Sequence, residues 1–150
     1  MIPNIAKEPE AFFFKRCHKY PKLLKNESGA FVTDSAYKIE LKEGIDINSF
    51  IFSFYNSLTL TFAEIEGRYY GGGVLELTPS EFRKLPVPYI NIDKLYFNKY
   101  VKDFENKVNI EQILGIYDSI ILGEYLGLSI EEIEFLHSTR QKLITKRMRK

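Results

Sequence analysis

The chain has 150 residues, 45% of them hydrophobic and 27% charged, with a net charge of +1; that is one domain, or one domain with an appendage, able to bury roughly 70% of its extended surface. The single cysteine, Cys17, excludes an internal disulfide, and no apolar run approaches the ~20 residues of a membrane helix. The first ten residues lack the basic start and apolar stretch of a signal peptide, so a cytoplasmic location without a membrane partner is expected.

The near-neutral total hides an uneven distribution. Residues 15–25 hold five bases (Lys15, Arg16, Lys19, Lys22, Lys25) and no acid, residues 103–134 hold eight acids against Lys107 alone, and residues 140–150 hold six bases. Basic patches offer phosphate sites even where the total is small.

Residues 1–10 contain two prolines and no periodicity, and read as an extended arm. Residues 11–17, rich in phenylalanine, read as a strand. Residues 18–26 are basic, broken by Pro21, and read as a loop, with residues 26–29 turning into the next strand or hairpin over 31–42. There Tyr37, Ile39 and Leu41 fall on one face and Lys38, Glu40 and Lys42 on the other, the period of a half-buried strand. Asp46 then caps a single predicted helix over 46–66, whose apolar stripe is Phe50, Ile51, Phe54, Leu58, Phe62 and Ile65, with Gly67 as its stop.

That helix delivers the chain to Arg68, Tyr69, Tyr70, Gly71, Gly72 and Gly73. Three glycines in a row mark a tight turn, or a place where another molecule comes close. Val74 to Leu77 alternate, and Thr78, Pro79 and Glu81 write a helix start. That helix must be short, because Pro86 and Pro88 cannot continue it. Helical spacing follows over 91–107 (Leu95, Tyr96, Tyr100, Val101, Phe104) and over 109–126 (Ile113, Leu114, Tyr117, Ile120, Ile121), with Asn109 as cap and Gly127 as stop. Ser129 and Glu132 form a capping box for a last helix with acids at its start and bases at its end, as the helix dipole prefers. The expected class is α+β: a small N-terminal β-sheet with a packed helix over 1–88, then a C-terminal bundle of about three helices over 89–150.

Arg68 could fork onto a phosphate or a guanine edge, Tyr69 and Tyr70 could stack or donate a hydrogen bond, and the glycine backbone could approach a phosphate. The plainer alternative is a structural turn with both tyrosines in the core. Lys15, Arg16, Lys19 and Lys22 are either a solvated face or a strip along a DNA backbone. No catalytic or metal site is expected: Cys17 and His18 have no second pair, and His137 is the other histidine. Asp34 with Glu40 and Lys42 has the composition of a nuclease metal site but too short a spacing, and an alternating exposed strand face explains these residues more simply. The turn Leu126-Gly-Leu-Ser129 between helices has helix-turn-helix form, but Glu131, Glu132 and Glu134 would meet phosphates there and be repelled.

Asn56-Ser-Leu-Thr-Leu60, Glu66-Gly-Arg68, the glycine tract, Leu75-Glu-Leu77, Pro79-Ser-Glu81 and Leu85-Pro-Val-Pro88 together resemble the C-terminal target-recognition region of adenine-specific DNA methyltransferases of bacterial restriction–modification systems. The likeness runs from about Phe31 to Pro88, with a further fit at 126–132. It implies a target-recognition fold, double-stranded DNA as partner, and a parent enzyme that methylates adenine from S-adenosylmethionine after flipping the base. The glycine-rich cofactor turn and the Asn-Pro-Pro-Tyr motif of that family's catalytic domain are not in the sequence; Pro86-Val-Pro-Tyr89 lacks the asparagine and the paired prolines. The chain is therefore expected to need no cofactor itself, to be a part of a longer enzyme, and to have the missing catalytic domain as its second partner. A protein–protein module docking through the helical part, and a metal-dependent nuclease fragment, are the alternatives.

Overall fold

A computed structural model describes residues 9–26, 36–107 and 109–149. Residues 1–8 of the extended arm, most of the turn at 26–29, and residues 31–35 of the expected strand, Asp34 among them, lie outside the described residues.

The expected α+β class holds, with two small antiparallel sheets in place of one. The first has the order β3-β1-β4, from Leu23–Lys25, Ala11–Phe14 and Ala36–Ile39. The second has the order β2-β6-β5, from Arg16–Cys17, Val74–Glu76 and Arg68–Tyr70. The strand read over 11–17 is thus broken at Lys15. Its first half joins one sheet and its second half the other, and the Lys15 carbonyl at the corner accepts from the Leu77 N–H at 3.0 Å. Strand β3 lies inside the segment read as a loop. It is three residues long and buries Leu23 alone, too little for a periodic signal. The Tyr55 hydroxyl holds it from the helical side, accepting from the Leu23 N–H at 2.8 Å and donating to the Leu23 carbonyl at 3.0 Å.

The single helix expected over 46–66 is two helices, α1 (Ile47–Phe54) and α2 (Ser57–Glu66). Asn56 is the reason: its side-chain oxygen accepts from the Thr59 N–H at 2.8 Å, capping α2, while its amide donates to the Ser53 carbonyl at 2.8 Å. Asp46 caps α1 as expected, accepting from Ser49 N–H at 2.9 Å. Helix α3 (Pro79–Arg83) is short, as its prolines require. Three helical runs follow: α4 (Lys94–Asn106), α5 (Ile110–Asp118) continuing as a π-helical turn over Ser119–Tyr125, and α6 (Ile130–Met148), which opens with the expected capping box. Gly127 stops the second run at φ +83°, a region glycine enters without strain.

One contiguous apolar core joins the sheets and both sets of helices, through Phe13, Phe54, Leu60, Leu75, Leu114 and Leu122. Rings at its centre meet edge to face: Phe52 lies 5.0 Å from Tyr100 and 5.6 Å from Tyr117. Asp118, at the end of α5, caps α2 from outside. It accepts from the Ser57 N–H at 2.9 Å and the Ser57 hydroxyl at 2.5 Å. Among the described residues no helix is long and apolar enough to cross a membrane.

Candidate nucleic-acid interface

The second sheet brings together residues that the sequence keeps apart. Arg16 and Arg68 both sit opposite Glu76, one on each side, and Tyr70 sits opposite Val74. Side chains two apart on a strand share a face, so Arg16, Arg68 and Tyr70 share one. Arg16 Nε lies 3.2 Å from Glu76 Oε1, and Arg68 Nε lies 3.2 Å from Glu81 Oε1. Both guanidiniums stay mostly in water, with side chains 69% and 65% exposed. A guanidinium has five N–H donors, so each keeps an edge for another acceptor. The Arg16 guanidinium also lies 5.9 Å from the centre of the Tyr70 ring. A hydrogen bond from Tyr70, and then Arg16 and Arg68, hold the Glu76 carboxyl below its ordinary pKa.

The other face of this sheet is fixed to the protein. The Tyr69 hydroxyl donates to the Glu64 carbonyl at 2.8 Å, and Leu75 is fully buried. Cys17 sits opposite Leu75, and burial pushes its thiol up to about 12.

The glycines form the turn of the β5–β6 hairpin, and they differ. Nothing stands within 4 Å of where a side chain on Gly71 or Gly72 would begin, and both are exposed. Gly73 is closed off: a Cβ there would lie 2.7 Å from Met148 Sδ, and its carbonyl accepts from the Arg147 guanidinium. Arg147 is fully buried. Its Nε donates to Glu64 Oε2 at 2.9 Å, its Nη2 to Glu64 Oε1 at 2.7 Å, and its Nη1 also to the His18 carbonyl at 2.6 Å. One side chain from α6 thus ties α2, the end of β2 and the glycine turn together. In the sequence Arg147 reads only as one of the bases at the end of the last helix, because nothing local marks a cation as buried.

Lys15 adjoins the Arg16–Arg68 face, with its ammonium 5.3 Å from the centre of the Tyr37 ring. Burial, then Glu76 and Glu81, push the Tyr37 hydroxyl above its ordinary pKa, while Arg16 opposes them. Lys19 and Lys22 are exposed on the segment between β2 and β3, and Lys22 stands 5.6 Å from the centre of the Tyr20 ring. Lys25 points to another side, 5.8 Å from the centre of the Phe97 ring. A groove of about 680 Å³, lined by Tyr37, runs along β4. Glu40 and Lys42 line it. Among the described residues, no three His, Cys, Asp or Glu side chains gather to hold a metal ion.

In a comparison with known families, the model described as "Type II methyltransferase M.Eco57I, C-terminal domain" matches residues 1–122. Searches of the curated proteins and of the solved structures return no match. The matched segment contains both sheets and the glycine hairpin, whereas α6, with Arg147, lies beyond it. The match agrees with the likeness read from the hairpin sequence: this chain belongs to the family of C-terminal domains of Type II methyltransferases.

Proposed function

We propose that this chain is the DNA-gripping, target-recognition part of an adenine-specific methyltransferase of a restriction–modification system. The parent takes its methyl group from S-adenosylmethionine, bound in a separate catalytic domain, and works in the cytoplasm. The observation that carries this reading is the exposed cationic face around Glu76, where Arg16 and Arg68 stand either side of one carboxylate beside Tyr70. Arg16, with Lys15, Lys19 and Lys22 around the same end of the chain, meets phosphates. Arg68 and Tyr70 lie at the groove edge, and Gly71 and Gly72 let the backbone come close. Tyr69 and Gly73 act from behind, holding the hairpin to α2 and α6. Residues 1–88 form the reading part, and the helices of residues 89–150 brace it. They also offer the catalytic domain exposed apolar side chains, Tyr125, Leu126, Ile130 and Phe135, among Glu131 and Glu134.

Fluorescence anisotropy with labelled duplex DNA tests this. Arg68→Ala should weaken binding by about 1–3 kcal/mol if its guanidinium touches a base or a buried phosphate. Unchanged affinity would remove it from the interface.

A further inference from the structure

The groove beside β4 joins the cationic face but is not part of it. Strand β4 is an outer strand of its sheet among the described residues, and the groove lies between it and the stretch from α3 to Tyr89. Its walls carry four half-buried rings, Tyr37, Phe50, Phe82 and Tyr89. Its rim carries three exposed cations, Lys38, Lys42 and Arg83, against one exposed carboxylate, Glu40. The Tyr89 hydroxyl accepts from the Asp46 N–H at 3.0 Å, which fixes that wall before any ligand arrives. The volume, about 680 Å³, is that of a site for a small organic ligand rather than a duplex, which needs a wide open surface.

Two contacts join groove and cationic face. Tyr37 has the Lys15 ammonium over its ring and also lines the groove. Helix α3 sends Glu81 to Arg68 and, one and two residues on, Phe82 and Arg83 into the groove. A nucleic-acid strand leaving the Arg16–Arg68 face would therefore pass Glu81, which is buried and paired with Arg68, and reach rings and cations. Rings that stack bases beside cations that hold phosphates are the chemistry that binds unpaired nucleotides. An apolar peptide would have no use for a rim with three cations to one carboxylate.

We propose that this groove is a second nucleic-acid site, which takes unstacked nucleotides of a strand whose duplex portion lies on the Arg16–Arg68 face. The inference rests on the DNA-gripping reading and extends it. Partly exposed Tyr37 and Tyr89 stack on the bases, and Lys42 and Arg83 hold the flanking phosphates.

The test uses an oligothymidylate of about twelve nucleotides carrying 4-thiothymidine, and separately a labelled duplex. Ultraviolet crosslinks of the single strand should map to peptides containing Tyr37 or Tyr89. The double variant Lys42→Glu/Arg83→Glu should weaken single-strand binding about tenfold and leave duplex binding within about twofold. Both substituted side chains are exposed, so the variant should keep the wild-type melting temperature. Crosslinks elsewhere, or single-strand affinity unmoved by the charge reversal, would overturn the groove while leaving duplex binding intact. A wild-type chain that binds single strands in this groove but no duplex would overturn the duplex grip, and with it the proposed route from that face.

Discussion

Replacing Arg147 with methionine should destabilise the protein by more than any substitution on its surface. The change removes a cation with no exposed area and leaves the Glu64 carboxylate, 1% exposed, without its partner. It also takes the donor from the carbonyls of His18 and Gly73. Removing one side of a buried ion pair costs about 3–5 kcal/mol, chiefly because the other charge stays buried and uncompensated. That is a large share of the ~5–15 kcal/mol that holds a domain together. Urea unfolding followed by circular dichroism measures it. Glu64→Leu added to Arg147→Met should restore much of the loss, since the stranded charge is then gone. A loss below about 1 kcal/mol in the single variant, or a double variant worse than the sum of the two single ones, would refute the account of α6 as the anchor of the hairpin.

The first and last of the three glycines should respond differently. Gly71→Ala should be nearly neutral, since open space surrounds it, while Gly73→Ala should cost about 1–3 kcal/mol, because the new Cβ meets Met148 in a left-handed backbone at φ +79°; equal melting temperatures for the two would contradict that placement. Cys17 should react slowly with iodoacetamide. A thiol moved from 9.0 to about 12 has about a thousandfold less thiolate at neutral pH, and denaturant should abolish the protection. Glu76 contributes stability in its charged form, since its folded pKa is depressed below the ordinary 4.5. The advantage of wild type over Glu76→Gln should therefore be full above that range and fade as pH falls below it; an advantage that persists in acid would point to shape rather than charge.

Much of the fold is legible in the sequence wherever one residue type has one local use. Thr78-Pro79, Asn109 and the Ser129–Glu132 box mark helix starts because each side chain accepts from a backbone N–H three residues on. Asn56 has the same ability, but it stands inside an apolar stripe that continues across the break, so the periodicity conceals the cap. The two-sheet arrangement depends on pairings between residues some sixty apart, such as Arg16 with Glu76, for which no local spacing exists. The glycine turn is legible because consecutive glycines with a cation and rings are unusual together, but the strand Arg68–Tyr70 before it is too short to show a period. Its surroundings were not legible: Arg147 is distant in sequence, and the groove is walled by rings from three separate segments.

The most direct measurement of the central claim is the dependence of duplex binding on salt, for wild type and for Arg16→Ala/Arg68→Ala. Each phosphate contact adds roughly 0.9 to the slope of log K against log salt. A steep wild-type slope is expected, flattened by about 1–2 in the variant, with affinity down at least about tenfold. Affinity indifferent to salt, or a variant that binds as the wild type does, would contradict the assignment of this face to DNA.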